Sequence, residues 1–337
     1  MTAKIDWDTL GFSFTPTDFM YRNTCQADGV WGEGEILPFG DISLSPAAAV
    51  LNYGQGLFEG LKAQRTQNNN IVLFRPSANG QRLVEGAERL LIPPFPPEKF
   101  VEAIKEVVRK NIEYVPPYGK GSLYLRPCLW GTGPILGVAP ASSFMLIIFA
   151  CPVGPYYKGD LQPVKFKITN NFHRAAPKGV GNVKFIGNYT GGLMVSRAAK
   201  KEGYSGCIFL DAKEDKYIEE VETSNFFCVV DGKLFTPALG SILPGVTRDS
   251  IIQLAREKMG LEVIEKQVSV SEAQKASECF CTGTAAVITP IGAIEYQGKE
   301  TVFNDFNVGP ITQHIYNLLT HIQLQEAEDT YGWVEII

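Results

Sequence analysis

No stretch of this chain stays apolar for the roughly 18 to 20 residues that a membrane-spanning helix needs. Its start, Met1-Thr-Ala-Lys-Ile-Asp-Trp-Asp8, lacks the basic residues and apolar run of a secretory signal. A soluble, cytoplasmic protein is expected, with no membrane partner. Positive charge is also scarce: 31 Lys and Arg face 36 Asp and Glu, with only three histidines, for a net charge of -5. That balance argues against nucleic acid or an anionic membrane as the main partner, although small anions can still be bound locally. The seven cysteines are odd in number and scattered, mostly inside strand-like runs such as those around Cys151, Cys207 and Cys228. Buried reduced thiols are expected in place of a disulfide frame. Cys279-Phe-Cys281 has neither the spacing nor the histidine partners of a zinc site, and no metal is expected. Repeats are missing too, and the one low-complexity tract, Gln67-Asn68-Asn69-Asn70, reads as a polar hairpin turn.

What the chain has is apolar material for a large interior. With 45% hydrophobic and 20% charged residues over 337 positions it is too long for one ordinary core and fits about two domains. Ser45-Pro46 sets a capping hydroxyl and an N1 proline before a helix through Ala47-Ala-Ala-Val50 that ends near Gly54. Strands are expected over Phe58 to Arg65, Ile71 to Phe74, Ser122 to Trp130 and Phe144 to Cys151. A helix carries Gln81-Arg82-Leu83-Val84, and another places Phe100, Val101, Ile104, Val107, Val108 and Ile112 at helical spacing. The breaker-rich run from Pro152 to Asp160 marks an interdomain linker, set at 155–163, between domains over 1–154 and 164–337.

In the second half, strands at Val164 to Thr169, Gly206 to Asp211, Asn225 to Val230, Glu278 to Thr282 and Ala285 to Thr289 alternate with helices near Tyr189 to Lys201, Arg248 to Met259 and Pro310 to His321. This mixed order predicts two α/β (α+β) domains and not a regular βαβ barrel.

Chemistry concentrates in a few segments. Lys184 lies in an apolar, glycine-flanked run, the setting for a lysine that attacks a carbonyl and later acts as a base. Glu220, in Glu219-Glu220-Val-Glu222-Thr223-Ser-Asn225, can supply a buried carboxylate, although the three glutamates read equally as one solvated acidic face. Leu243-Pro244-Gly245-Val246-Thr247-Arg248 precedes an amphipathic helix and offers backbone N–H donors to an anion. Thr282-Gly283-Thr284-Ala285-Ala286 offers a second such turn, or an ordinary tight one.

These segments, with Asn52-Tyr53-Gly-Gln-Gly-Leu-Phe58-Glu59-Gly60, Leu123-Tyr124-Leu-Arg126-Pro127, Cys151 through Tyr156 and Gly181 through Tyr189, occur in one order along nearly the whole chain. They resemble the fold type IV pyridoxal phosphate enzymes, and specifically the branched-chain amino acid aminotransferases. The resemblance implies a smaller N-terminal α/β domain and a larger C-terminal pseudo-barrel domain, pyridoxal 5′-phosphate as cofactor, and a homodimer with a shared active-site loop. It implies transfer of the amino group of leucine, isoleucine or valine to 2-oxoglutarate, giving glutamate, by a ping-pong route.

By the same resemblance Lys184 forms the Schiff base and moves the proton between substrate Cα and cofactor C4′. Glu220 pairs with the pyridine nitrogen, and Tyr189 with the phenolic oxygen. Arg82, Thr223, Val246, Thr247 and Thr284 belong to the cofactor's surroundings, with Arg174 close by, although Arg82 alone would read as a helix-surface charge. Phe58, Tyr156 and, from the neighbouring subunit, Leu136 and Val138 line an apolar pocket with Tyr53, Tyr124 and Arg126 at its polar margin, while Thr284 and Ala285 receive the α-carboxylate. Any one of these aromatics could instead be plain core.

The chain departs from the animal mitochondrial type, which has a Cys-x-x-Cys pair after the Gly-Thr-Ala turn. Ala286 and Thr289 stand there, so no thiol switch is expected. His173 reads as a satisfied neighbour of the site, and His314 and His321 as helix-surface residues. Rival readings are a D-amino acid transaminase or an aminodeoxychorismate lyase of the same fold type, or a cofactor-free amino acid binding protein.

Overall fold

The computed structural model describes residues 5–26, 28–156 and 159–337; residues 157 and 158 of the expected linker, and the first four of the N-terminal stretch, lie outside them. The chain divides into one unit of Met1–Tyr156, Val183–Ile186 and Ile322–Ile337, and another of Tyr157–Asn182 and Gly187–His321.

The first unit runs through strands β1 (Phe19–Gln26) and β2 (Glu35–Pro38), helix α1 (Ala49–Tyr53), strands β3 (Gly56–Phe58), β4 (Leu61–Arg65) and β5 (Ile71–Phe74), helices α2 (Pro76–Arg89) and α3 (Pro97–Lys110), and the long hairpin of β6 (Ser122–Gly131) and β7 (Ser143–Val153). Its sheet is ordered β5-β4-β6-β7-β1-β2, with β3 also paired to β6. The apolar stripe of α3 lies inside over Phe100, Val101, Ile104, Val107 and Val108, whereas Ile112, expected to continue it, falls past the helix end in a 3-10 turn and is exposed. Each buried side chain of the stripe contributes about 1.5–3 kcal/mol of burial.

Two local expectations shift. Helix α1 starts at Ala49, because Ala48 instead bridges to Pro134 and Ile135 N–H donates to Ala47 C=O. Ser45 Oγ accepts from the Ala47 amide, so it caps a turn and not the helix. The single strand expected over Phe58 to Arg65 is broken at Glu59-Gly60 into β3 and β4. A Cβ at Gly60 would collide with the Tyr124 hydroxyl.

The second unit contains β8 (Val164–Thr169), α4 (Gly187–Thr190), α5 (Leu193–Lys201), β9 (Gly206–Leu210), β10 (Tyr217–Val221), β11 (Ser224–Val230), β12 (Lys233–Thr236), α6 (Val246–Glu257), β13 (Val263–Glu265), β14 (Val268–Ser269), α7 (Val270–Ala273), β15 (Glu278–Gly283), β16 (Val287–Tyr296), β17 (Lys299–Val302) and α8 (Pro310–Gln323). Strands β11-β15-β16-β8-β9-β10 are neighbours in that order, and β10 pairs back to β11, closing a ring. Only β16–β8 and β8–β9 are parallel within it, so this is a mixed barrel and not a repeated βαβ unit. Phe166, Ile168, Ile208, Leu210, Phe226 and Ile291 help fill its core. The helix expected over Tyr189 to Lys201 is interrupted at Gly191-Gly192.

The last strand, β18 (Val334–Ile336), pairs antiparallel with β5 and so covers the edge of the first sheet. Residues 322–337 therefore belong with the N-terminal half and not, as expected, with a domain over 164–337. Residues 183–186 depart in the same way: Leu57 bridges Phe185, with Phe58 N–H donating to Lys184 C=O and Ile186 N–H to Gly56 C=O, both at 3.2 Å. All seven cysteines are buried and unpaired, and burial pushes Cys128, Cys207, Cys228 and Cys281 up to about 12. Among the described residues no helix is long and apolar enough to cross a membrane.

Candidate active site

Backbone pairing to β3 fixes Lys184 next to Phe58, and the side chains meet as well. Lys184 Nζ lies 4.6 Å from the centre of the Phe58 ring. The Arg126 guanidinium carbon lies 4.7 Å from the same ring and 5.4 Å from that of Tyr124. Tyr124 and Arg126 share one face of β6 because they are two residues apart. An Arg126 terminal nitrogen reaches the Tyr124 hydroxyl at 3.4 Å, while its buried Nε–H has no acceptor among the described residues. A buried donor of this kind is costly unless something accepts from it, and a ligand carboxylate has the right chemistry.

Around this centre the first unit adds further residues, most of them expected from the sequence. Phe12 packs edge-on against Tyr124 and Tyr156, at 5.8 and 6.5 Å between ring centres. The Tyr53 hydroxyl donates to Leu136 C=O, which ties α1 to the loop between β6 and β7. At the tip of that loop Leu136 and Val138 are 92% and 87% exposed. Arg82, expected near the cofactor, is no plain surface charge. It reaches inward from α2 to Glu59, with Nε 2.8 Å from Oε1 and a terminal nitrogen 2.7 Å from Oε2.

In the second unit the three glutamates do not form a solvated face. Glu220 and Arg174 are almost wholly buried, with Arg174 Nε 3.1 Å from Glu220 Oε2. Glu220 also accepts from Asn225 Nδ2 at 3.3 Å and from the Leu243 amide. Asn225 Nδ2 donates to Leu243 C=O at 2.9 Å, so one side chain joins the carboxylate to the loop ahead of α6. Glu219 is tied to the Ser241 hydroxyl; burial raises its carboxyl, against lowering by Ser241, Arg174 and His173. Glu222 caps the Cys207 amide at 2.9 Å. His173 pairs with Asp215 at 2.6 Å.

The loop before α6 has the form expected of an anion site. Gly245 is the N-cap and no side chain caps the helix; a Cβ at Gly245 would strike Asn225 Oδ1. Among the described residues the Val246 and Thr247 amides have no acceptor, and such amides with the helix dipole favour a phosphate. Pairing of Asn225 with Thr282 sets the turn holding exposed Thr223 beside the turn Thr284-Ala285-Ala286. The latter turn closes with Val287 at φ 63°, a left-handed conformation that a β-branched residue rarely adopts. Tyr189 is half-buried in α4.

Sequence reasoning missed four contributors. Glu59 is the buried partner of Arg82, and buried Asn79 supports it, with Asn79 Nδ2 2.7 Å from Glu59 Oε2. A charged residue followed by glycine inside an apolar run signals a broken strand, and that was the available clue to Glu59. Phe12 had only the alternation Phe12-Ser-Phe14 to announce it. Lys62, opposite Tyr124 across β4 and β6, is pushed down to about 8 by burial, and nothing in its sequence neighbourhood announces that.

The model of the class IV amino-transferase family matches residues 56–294. The chain is 48% identical to the chloroplastic branched-chain amino acid aminotransferase 2 of Humulus lupulus, over 98% of this chain and 81% of that protein. It is 45% identical to a methionine aminotransferase of Arabidopsis thaliana, over 99% of this chain and 94% of that one. Among solved structures it is similar to the branched-chain amino acid aminotransferase of Escherichia coli, with a TM-score of 0.82 at 32% identity, covering 95% of this chain and 99% of that one. A second solved branched-chain amino acid aminotransferase, crystallised with pyridoxamine 5′-phosphate, gives a TM-score of 0.83 at 26% identity, covering 96% of this chain and 99% of that one.

Proposed function

Because this chain belongs to the class IV aminotransferases and, within them, to the branched-chain amino acid aminotransferases, we propose that it transfers the amino group of leucine, isoleucine or valine to 2-oxoglutarate in two successive half-reactions, with pyridoxal 5′-phosphate as its cofactor. The observation that carries the substrate reading is the shared ring of Phe58, which has Lys184 Nζ 4.6 Å and the Arg126 guanidinium 4.7 Å from its centre. A branched aliphatic side chain needs apolar surface, whereas the side-chain carboxylate of glutamate needs a cation once it leaves water. Phe58 and Arg126 supply the two side by side.

When bound, the cofactor supplies an electron sink for bonds at the substrate Cα. Lys184 would be the amine that anchors it and the base that carries the Cα proton. Glu220, its charge compensated by Arg174, would receive the ring nitrogen, and Tyr189 the phenolic oxygen. Arg82, Val246, Thr247 and Thr284 would hold the phosphate, with Thr223 among the cofactor's other neighbours. The Thr284-Ala285 turn takes the α-carboxylate, and Tyr53, Tyr124 and Tyr156 border the side-chain pocket. Exposure of Leu136 and Val138 at a loop tip supports a homodimer in which Leu136 and Val138 of the partner subunit complete that pocket.

A panel of amino donors tests this reading: leucine, isoleucine, valine, methionine and D-alanine, each with 2-oxoglutarate, followed by glutamate formed. The three branched donors should all support turnover and D-alanine none. A chain that prefers methionine to all three would have the activity named for its Arabidopsis relative, and turnover of D-alanine would move it to another branch of the fold.

A further inference from the structure

Glu59 stands in the break between β3 and β4, and its side chain is wholly buried, at 0% exposure. Nothing would place a carboxylate there for packing alone, because a buried charge is costly unless paired and hydrogen-bonded. Its pairing is thorough. Arg82 grips both oxygens, Asn79 Nδ2 donates to Oε2 at 2.7 Å, and the Gly60 amide donates to Oε2 at 3.3 Å. Burial works to raise this carboxyl, and the Arg82 guanidinium, with smaller pulls from Lys184 and Asn79, outweighs it and holds it below the usual carboxylate range.

Glu59 is therefore an anion at neutral pH, and it follows directly on Phe58, whose amide donates to Lys184 C=O at 3.2 Å and whose ring lies under Lys184 Nζ; whatever Lys184 does for the negative charge of Glu59, Glu59 does for a positive charge on the Lys184 nitrogen. Neighbouring elements of this unit contribute Lys62 from β4, Arg82 from α2 and Arg126 from β6, all cations, with the Tyr124 hydroxyl. Of the cations in this unit, those that act on Glu59 are Arg82 and Lys184, while Lys62 faces Tyr124 and Arg126 lies over Phe58 and Tyr124. Planar two-point contact also fixes the orientation of a guanidinium, which a single contact cannot do.

We propose that Glu59 is a positioning residue with two effects: it fixes the Arg82 guanidinium for the cofactor phosphate, and it holds a permanent negative charge that favours a protonated nitrogen at Lys184. This rests on the pyridoxal phosphate reading given above, and the two can fail separately. Wild-type protein reconstituted with pyridoxal phosphate and showing no visible band of a lysine-bound cofactor contradicts that reading, whatever Glu59 does.

The test uses holoenzyme of wild type, Glu59→Gln and Glu59→Asp, with the cofactor's visible absorption titrated against pH and cofactor loss followed by dialysis. Removing the charge at nearly constant shape should lower the apparent pKa of the band by about one unit or more, a tenfold change in proton affinity. Asp keeps the charge in a shorter arm, so its titration should stay near that of wild type while its cofactor dissociates faster. Glu59→Gln titrating like wild type overturns the electrostatic effect, and Glu59→Asp retaining cofactor like wild type overturns the grip on Arg82. Should the Gln variant fail to fold, the Asp variant decides alone: unchanged retention counts against the proposal, and faster loss with an unmoved titration supports it.

Discussion

The Arg126 guanidinium lies over the ring of Phe58, 4.7 Å from its centre, with a buried Nε–H that finds no acceptor among the described residues. Leucine gains from the ring by area burial and needs no cation, whereas the side-chain carboxylate of 2-oxoglutarate does. Truncating one member of a buried charge pair costs roughly 2 to 5 kcal/mol. Arg126→Leu should therefore lower kcat/KM for 2-oxoglutarate by at least about tenfold relative to the leucine half-reaction. Single-turnover rates with each substrate separately check this. Parallel losses would mean that Arg126 only supports Tyr124.

Glu220 is the carboxylate in contact with Arg174, Asn225 and the loop before α6, whereas Glu219 engages Ser241 and Glu222 caps Cys207. Glu220→Gln should fold and turn over far more slowly, because a neutral amide no longer favours a protonated ring nitrogen. Glu219→Gln and Glu222→Gln should keep most of their activity. The register is wrong if either of those is the crippled variant while Glu220→Gln stays active.

Val287 holds φ 63° at the end of the Thr284-Ala285-Ala286 turn although it is β-branched and buried. Such strain costs on the order of 1–3 kcal/mol. Glycine relieves it and alanine does not, so the usual order, in which Gly is worse than Ala by roughly 0.5–1 kcal/mol, should reverse here. Thermal denaturation of Val287→Gly and Val287→Ala decides between the two orders. Val287→Gly should also raise KM for the amino donor, since it frees the turn assigned to the α-carboxylate.

Away from the site, hydrogen bonding by Lys266 and the Ser269 amide lowers the Glu272 carboxyl from 4.5 to about 2. A depressed carboxyl contributes stability above its unfolded value, here about 4.5, and loses it as pH falls towards 2. Both side chains of the pair are about two-fifths exposed, so the contribution is below about 1 kcal/mol after solvent screening. Denaturant midpoints of wild type and Glu272→Gln should differ at neutral pH and converge below 4.5. A gap that persists in acid contradicts the ion-pair account.

Long apolar elements were legible because periodicity reports burial directly: β5, β8 and α3 fall where Ile71-Val-Leu-Phe74, Val164 to Thr169 and the Phe100 to Val108 stripe place them. Strand β10 was not read, because Tyr217-Ile-Glu-Glu-Val221 puts two adjacent carboxylates in a strand and breaks the alternation. Short edges such as β13, β14 and β18 hold too few residues to show a period. The mixed closure of the barrel depends on which strands meet across long separations, and local pattern does not encode that. Segments bearing Lys184, Glu220 and Thr247 announced themselves through glycines and polar residues in apolar runs. Glu59 stayed hidden because its partner Arg82 lies 23 residues away in sequence, and only the fold shows that two charges cancel inside the core.

Reduction of the reconstituted holoenzyme with borohydride, followed by proteolysis and mass measurement of the peptides, tests the central claim most directly. A lysine joined to the cofactor is fixed by reduction as a stable secondary amine, and its peptide gains the phosphopyridoxyl mass. The account predicts that mass on the peptide containing Lys184, with none recovered from Lys184→Ala. The rival within the same unit is Lys62, whose amine burial brings down to about 8 and so towards reactivity. Label on the Lys62 peptide, or on no peptide at all, contradicts the assignment of Lys184.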